Sequence, residues 1–168
     1  RTAFAYRLIE ATADGRYAIA YNGEVYNFSE LRVELENLGR SFRSRSDTEV
    51  VLQSWAEWGA GALERFNGVF AFAIWDRTRH ELVLVRDRYG ARPLYWARFS
   101  DAFAFGSEAK ALLAHPAAGA ALDEEALVEY MTFQNYFTDR TLFRGIRLLP
   151  AGTVMTIAAD GRVSERKY

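Results

Sequence analysis

Two neighbouring apolar runs constrain the fold of this chain more than any other feature. Val69–Asp76, "VFAFAIWD", and Glu81–Asp87, "ELVLVRD", are apolar almost throughout and are joined by the polar turn "DRTRH". Short uninterrupted apolar runs are typical of strands that are buried on both faces. We therefore expect a sheet that is covered on both sides, either by a second sheet or by helices outside two stacked sheets.

A first amphipathic helix is predicted in the segment "NFSELRVELENLG". Asn27 can cap it, Glu30 stands three residues further on as in a capping box, and Gly39 supplies the end. The helical spacing predicts one apolar face, formed by Leu31, Leu35 and Leu38.

A second helix is predicted in "SRSDTEVVLQSWAEWG". Ser46 and Glu49 have the spacing of a capping box, and Gly59 ends the helix. The apolar face consists of Val51, Leu52, Trp55 and Trp58.

Turn signals divide the rest of the chain into short strands and helices. Asp14-Gly15, Ser100-Asp101 and Asp160-Gly161 each separate two strand-like runs, which predicts three hairpins. Short helices are predicted at 107–115 and 123–131. Strands and helices that follow one another without strict alternation indicate an α+β fold.

The composition excludes several classes of function. The 168 residues suit one domain and carry a net charge of −1 without long runs of like charge, so nucleic acid and membranes are poor partners. No apolar run is long enough to span a membrane and no secretory signal is visible, which favours the cytoplasm. The chain has no cysteine, and His80 and His115 have no partner at ligand spacing, so no metal site is expected.

The first candidate for chemistry is the dipeptide Asn22-Gly23, which follows the apolar run "YAIAY". Asn-Gly is the strongest short signal for a tight hairpin turn, and it recurs at Asn67-Gly68, where we expect only a strand-entry turn. A turn at Asn22-Gly23 would expose the Gly23 N–H beside the Asn22 amide. Two such donors can form an oxyanion hole, and the alternative is a plain turn.

The second candidate is Asp47, in the first turn of the second predicted helix. If Ser46 is the cap, the Asp47 carboxylate is free for another task, such as binding an ammonium group. The alternative is that Asp47 only complements the positive end of the helix dipole.

Five motifs then occur in a fixed order. They are Asn-Gly-Glu at 22–24, Ser-Asp-Thr-Glu at 46–49, Asn-Gly-Val-Phe-Ala-Phe at 67–72, Arg-Asp-Arg-Tyr-Gly at 86–90 and Ser-Glu-Ala-Lys-Ala-Leu at 107–112. With this combination, the chain from about Tyr17 to its end resembles the glutaminase domain of glutamine-dependent asparagine synthetases. The resemblance implies an N-terminal-nucleophile hydrolase fold, an αββα sandwich of two stacked antiparallel sheets.

The same resemblance implies the roles of four residues. Asn22 and Gly23 would form the oxyanion hole, and Glu24 and Asp47 would hold the amino-acid end of glutamine, with Asp47 on the α-ammonium. In the family, an N-terminal cysteine attacks the glutamine amide, and the released ammonia reaches a second domain. That domain uses ATP and Mg²⁺ to amidate aspartate. The implied partners are glutamine, the C-terminal synthetase domain and a second copy in a homodimer, with no cofactor in this domain.

The chain departs from the family at its nucleophile, because it contains no cysteine. The family's opening segment is missing, together with the arginine that binds the substrate α-carboxylate. Thr2 is a formal candidate nucleophile, but Arg1 precedes it and blocks the α-amine. We therefore expect 1–168 to be a glutaminase domain that is incomplete at its N-terminus and is inactive alone, with the synthetase domain following residue 168.

Two alternatives stay open. In β-lactam synthetases and lasso-peptide cyclases, a related domain without the cysteine is a non-catalytic scaffold for the ATP-dependent partner. The retained Asn22, Gly23, Glu24 and Asp47 argue against a scaffold, since a scaffold has no chemical need for a glutamine pocket. Another class II amidotransferase is the second alternative, because "RDRYGARPLYW" has relatives there.

Overall fold

The structure is a computed structural model that describes residues 4–5, 8–100 and 102–168. The chain divides into two compact units. The larger unit comprises Arg7–Arg92 and Ala151–Tyr168, and the smaller unit comprises Arg1–Tyr6 and Pro93–Pro150.

Ten strands and four α-helices are found in the described part of the chain. The strands are β1 (Phe4–Ala5), β2 (Leu8–Ala11), β3 (Tyr17–Val25), β4 (Gly68–Asp76), β5 (Glu81–Arg86), β6 (Tyr95–Arg98), β7 (Phe103–Gly106), β8 (Ile146–Leu148), β9 (Thr153–Ile157) and β10 (Val163–Lys167). The helices are α1 (Phe28–Asn37), α2 (Asp47–Trp58), α3 (Ala109–Leu113) and α4 (Glu124–Phe133), with a 3₁₀ helix at Gly59–Glu64.

The larger unit is built on a six-stranded antiparallel sheet in the order β10-β9-β5-β4-β3-β2. The two apolar runs form its centre, where β4 pairs with both β3 and β5. The predicted hairpins at Asp14-Gly15 and Asp160-Gly161 are confirmed as the antiparallel pairs β2–β3 and β9–β10.

One face of this sheet packs against α1 and α2. Alternate residues of β3 and β4, including Ile19, Tyr21, Phe70 and Phe72, form one cluster with the helical side chains. Burial of each large apolar side chain contributes about 1.5–3 kcal/mol. The intervening residues Ala20, Ala71 and Ala73 are buried as well, and so are Leu84 of β5 and Met155 of β9. The prediction of strands buried on both faces is therefore confirmed.

Helix α2 follows its sequence signals closely. The Ser46 side chain accepts a hydrogen bond from Glu49 N, so Ser46 is the N-cap. Gly59 is the C-cap with a φ of 55°, which is a conformation that glycine adopts at no steric cost. Val51, Leu52 and Trp55 are buried on the predicted face, and Trp58 packs against the same cluster.

Two predictions for α1 are wrong. The Asn27 side chain does not cap the helix, because it accepts from Asn67 N and donates to Arg65 O, which ties the helix start to the entry of β4. Leu38 is 53% exposed, since it lies at the C-cap, after the last turn that faces the sheet. Gly39, with a φ of 87°, ends the helix as predicted.

The smaller unit contains a four-stranded sheet in the order β1-β7-β6-β8. The predicted pair on either side of Ser100-Asp101 is confirmed as the antiparallel pair β6–β7, although Asp101 itself lies outside the described residues. At the edge, β1 pairs in parallel with β7. Helix α3 covers part of this sheet through Leu112, which packs with Ala97, Ala104 and Ile146.

The two sheets and the helices that accompany them make the chain an α+β protein, as predicted. In the described ranges, no helix is both long enough and apolar enough to cross a membrane.

Candidate functional site

Asn22-Gly23 is not a turn, which corrects the prediction made from the dipeptide. Both residues lie inside β3, where Asn22 pairs with Ala71 and Gly23 with Phe70 of β4. A two-residue hairpin would need the chain to reverse after Gly23, but β3 continues in register to Val25. Glycine inside a strand marks a close approach of another backbone, and this is its role here.

The close approach involves two glycines, one in each strand. A Cβ atom on Gly23 would lie 2.2 Å from Val69 O, and a Cβ atom on Gly68 would lie 2.2 Å from Glu24 O. Gly23 also has a φ of 151°, which disfavours other residues. The two Asn-Gly dipeptides are therefore related in space: their glycines allow β3 and β4 to pack tightly at the same point.

The direction of the Gly23 N–H group follows from the hydrogen bonds of Phe70, the residue opposite Gly23 in β4. Phe70 N donates to Asp87 Oδ2 (3.2 Å), and Phe70 O accepts from Asp87 N (2.8 Å), so both groups face the β5 side. In an antiparallel ladder, this makes Phe70 and Gly23 a pair without mutual hydrogen bonds. The N–H of Gly23 must then point away from β4, toward the opposite edge of β3.

Asp47 binds to that same edge of β3. Its Oδ2 accepts hydrogen bonds from Val25 N (3.1 Å) and from the Tyr21 hydroxyl (2.8 Å). Since Val25 and Gly23 are two residues apart in one strand, their N–H groups point in the same direction. The carboxylate of Asp47 and the N–H of Gly23 therefore share one edge.

The expectation that the Asp47 carboxylate is free is wrong for one of its two oxygens. Oδ2 has two donors, whereas Oδ1 accepts no hydrogen bond from any residue that the structure describes. The donors fix the orientation of the carboxylate, and Oδ1 stays available to a ligand. Ser46 caps α2 as assumed, so Asp47 is not needed for that task.

Tyr21 keeps its proton in this arrangement. Burial raises the pKa of its hydroxyl well above the ordinary value, and the charges of Asp47 and Glu24 and the hydrogen bond to Asp47 act in the same direction. The hydroxyl therefore remains a donor to Asp47 at all physiological pH values.

The side chains of Asn22 and Glu24 project from the other face of the sheet. Residues of a strand alternate between faces, and Tyr21 and Val25 belong to the face that packs on the helices. Glu24 is exposed and Asn22 is partly buried. The structure thus brings Gly23 N–H together with Asp47 at the edge, and Asn22 together with Glu24 on one face.

Sequence reasoning missed two contributors to this region, Tyr21 and Asp87. Tyr21 directly precedes Asn22, but its bond to Asp47 spans 26 residues and leaves no local signal. Asp87 is 1% exposed and accepts from the backbone N–H groups of Phe70, Tyr89, Ala91 and Arg92. An aspartate directly after a buried strand and before Gly90 could have indicated such a loop-organising carboxylate.

The described part of the chain offers no cluster of side chains for a metal ion. No group of three or more acidic or histidine side chains there could hold a metal ion. The chain contains no cysteine, and Thr2, the formal candidate for a nucleophile, lies outside the described residues.

The fold places the chain in a known structural class. It is similar to glutamine phosphoribosylpyrophosphate amidotransferase from B. subtilis, with a TM-score of 0.62 and 23% identity over 95% of this chain and 31% of that protein. It is also similar to an allosteric regulatory enzyme of purine biosynthesis, with a TM-score of 0.64 and 22% identity over 95% of this chain and 30% of that one. These similarities concern the fold, which is the N-terminal-nucleophile hydrolase-like α+β fold that was predicted.

Residues 10–168 match the model of the glutamine amidotransferase domain family, and the chain belongs to that family. It is 42% identical over 146 residues to asparagine synthetase [glutamine-hydrolyzing] 3 of Bacillus subtilis and 38% identical over 155 residues to synthetase 1 of that organism. These matches cover 86% and 92% of this chain. The chain spans about a quarter, 24%, of the length of either relative.

Proposed function

We propose that this chain is the glutamine-binding part of a glutamine-hydrolysing asparagine synthetase. The observation that carries the proposal is the shared edge of β3, where the Gly23 N–H and the Asp47 carboxylate face the same side. A donor for a developing oxyanion and an acceptor for an ammonium group are what an amino-acid amide substrate needs at its two ends. The asparagine synthetase relatives support this choice of substrate.

Each residue has a distinct task in this reaction. Asp47 Oδ1 accepts from the α-ammonium group of glutamine, while Tyr21 and Val25 N hold Oδ2. Glu24 adds negative charge near the same end. The Gly23 N–H and the Asn22 amide donate to the oxygen of the tetrahedral intermediate, and each such donor is worth about 2.7–4 kcal/mol.

The nucleophile in this proposal is a cysteine encoded outside these residues. Its thiolate adds to the side-chain amide carbon of glutamine, and the C–N bond breaks as the nitrogen gains a proton and leaves as ammonia. Water then cleaves the thioester to release glutamate. Ammonia is used by a synthetase domain, with ATP and Mg²⁺, to amidate aspartate. In this proposal the protein is cytoplasmic, and a homodimer is its expected assembly.

The variant Asp47→Asn in the full-length protein tests the proposal. Asparagine has the same shape but no charge for the α-ammonium group, so we expect kcat/KM for glutamine to fall about 10- to 100-fold. Synthesis from free ammonia should stay near the wild-type rate. Asp160→Asn is the matched control, because Asp160 lies in the β9–β10 turn and bonds only Arg162 among the described residues. Equal losses with glutamine and with ammonia would refute the role of Asp47.

The absence of cysteine from the chain favours one second candidate, a non-catalytic scaffold domain like that of β-lactam synthetases. The two functions differ in the gene upstream of Arg1. A Met-Cys-Gly start there supports the glutaminase, and an upstream reading frame without that cysteine supports the scaffold.

A further inference from the structure

The phenol of Tyr21 connects the core of the larger unit to the Asp47 carboxylate. Tyr21 is 4% exposed, and its ring packs against that of Phe72, the residue opposite it in β4, with the ring centroids 6.5 Å apart. Its hydroxyl donates to Asp47 Oδ2, 26 residues further along the chain. Because close packing holds the ring in one orientation, the hydroxyl is a donor with a fixed position.

Asp47 Oδ2 receives its two hydrogen bonds from groups of different origin. One donor is the Val25 main chain (3.1 Å) and the other is the Tyr21 side chain (2.8 Å). The last torsion of an aspartate side chain is soft, so one donor alone would let the carboxylate turn. Two donors on the same oxygen fix the plane of the carboxylate, and Oδ1 is then held in one direction.

The negative charge of Asp47 is not balanced within the described part of the chain. Asp47 forms no ion pair there, and its interactions are the hydrogen bonds to Oδ2. Burial raises the pKa of the Glu10 carboxyl, and the charges of Glu49 and Asp47 raise it further, against the hydrogen bond from Ser46. Asp47 thus repels a neighbouring carboxylate. A hydrogen bond that only joined α2 to β3 would not need this charge, whereas a cationic ligand at Oδ1 would offset the repulsion.

We propose that Tyr21 is a positioning residue that gives the site its preference for ligands with an α-ammonium group. The inference rests on the proposed function, in which Asp47 Oδ1 accepts from that group. Tyr21 does not touch the ligand. Its hydroxyl holds Oδ2 and thereby keeps Oδ1 directed at the ammonium group. Without the hydroxyl, Asp47 keeps its charge but loses the direction on which a charge-assisted hydrogen bond depends.

This role predicts an effect on glutamine binding rather than on the chemical step. The oxyanion donors of the proposed reaction lie on Gly23 and Asn22, and the Tyr21 hydroxyl is bonded to Asp47 instead. An interaction that is the same in the ground state and in the transition state changes KM and leaves kcat unchanged. Removing the hydroxyl should therefore raise KM for glutamine.

The experiment compares Tyr21→Phe with wild type in the full-length protein. KM for glutamine should rise at least about fivefold, while kcat stays within about twofold of wild type. Synthesis from free ammonia should be unaffected. Tyr168→Phe is the matched control, because Tyr168 is a partly buried tyrosine of the same unit whose hydroxyl also donates one hydrogen bond, to Arg86 O.

A ligand without the ammonium group separates positioning from general distortion of the site. Glutaramate is glutamine without its α-amino group, so it offers nothing to Asp47 Oδ1. Its inhibition constant against glutamine should differ by less than about twofold between Tyr21→Phe and wild type. In the Asp47→Asn background, Tyr21→Phe should add less than about twofold to KM, since the two residues act through one contact.

Three results would overturn the positioning role while leaving the proposed function intact. They are an unchanged KM in Tyr21→Phe when Asp47→Asn raises it, an equal rise of KM in Tyr168→Phe, and an equal loss of affinity for glutaramate and glutamine. If Asp47→Asn uses glutamine as well as the wild-type protein does, the proposed role of Asp47 fails, and the role of Tyr21 fails with it.

Discussion

A methyl group added to Gly23 would lie 2.2 Å from the carbonyl oxygen of Val69 and 2.5 Å from Cα of Phe70. Both atoms belong to the backbone of β4, at the centre of the six-stranded sheet, and neither can move away without breaking ladder hydrogen bonds. The φ of 151° adds strain for any residue with a Cβ atom. The Gly23 main chain is thus a candidate oxyanion donor and a packing requirement at once.

Gly23→Ala should therefore destabilise the protein by about 3 kcal/mol or more, because overlap with backbone and strain at positive φ add together. Urea denaturation followed by circular dichroism measures the change. Gly61→Ala is the matched control, since a Cβ atom there meets no heavy atom within 4 Å. A Gly23→Ala variant as stable as Gly61→Ala would contradict the close approach of β3 and β4.

At the scale of elements, the sequence predicts α2 and its ends well because the signals are local. Ser46 lies three residues before the N–H that it caps, and Gly59 adopts a positive φ directly after the last turn. Asn27 shows the limit of such signals. Its side chain satisfies groups at Arg65 and Asn67, some 40 residues away, and no spacing rule within the helix could indicate that.

In α2, only one of the two hydrogen bonds of the predicted capping box forms. The Glu49 carboxylate does not return to Ser46 N, and instead collects three hydrogen bonds from Arg43 and Ser44. Glu49 is thereby buried while ionised, and it ties the loop before α2 to the first turn of the helix.

In the variant Glu49→Gln, the free energy of unfolding should depend less on pH in the acid range than it does in the wild-type protein. Because the folded-state pKa of Glu49 lies below the unfolded value of about 4.3, its contribution is present above that pH and is lost as the pH falls through the folded pKa. At pH 7 the variant should be less stable by about 2 kcal/mol, the scale of hydrogen bonds to a charge. The difference in the free energy of unfolding from wild type should shrink as the pH falls below about 5.

Urea titrations at a series of pH values measure this convergence. Glu36→Gln is the control, because Glu36 belongs to an exposed ion pair with Arg32 that is worth about 0–1 kcal/mol. If the free energies of unfolding of Glu49→Gln and wild type differ by the same amount at every pH down to 3, the Glu49 charge does not stabilise the fold.

Across the whole molecule, folding gives the two methionines opposite environments. Met155 is completely buried in β9, whereas Met131 on α4 is 73% exposed. The thioether of an exposed methionine reacts readily with peroxide, and a buried one is protected by packing.

Met131 should accordingly be oxidised by hydrogen peroxide at least about tenfold faster than Met155 under native conditions. Peptide mass spectrometry of timed samples measures both rates in one experiment. In 8 M urea the two rates should converge, which serves as the internal control. Comparable native rates would contradict the burial of Met155 in the sheet.

The arrangement of the strands explains which parts of the candidate site could be predicted from the sequence. Asn22, Gly23, Glu24 and Asp47 were found from motifs, and their roles stay predictions. Their geometry was not accessible from sequence, because it depends on which edge of β3 the Gly23 N–H faces. That direction follows from hydrogen bonds between Phe70 and Asp87, which belong to the motifs at 67–72 and 86–90 but were given no role in the site.

Gly23 and Gly68, which allow the close approach of β3 and β4, also restrict the register in which these two strands can pair. A slip of two residues between β3 and β4 keeps the apolar side chains on the correct face, so hydrophobic patterning alone does not reject it. Such a slip would move Tyr21 or Val25 into the gap that Gly23 leaves, and their side chains would collide with the opposing backbone. Steric exclusion thus disfavours shifted registers of β3 and β4, and the register that completes the sheet also places the Gly23 N–H on the edge that Asp47 binds.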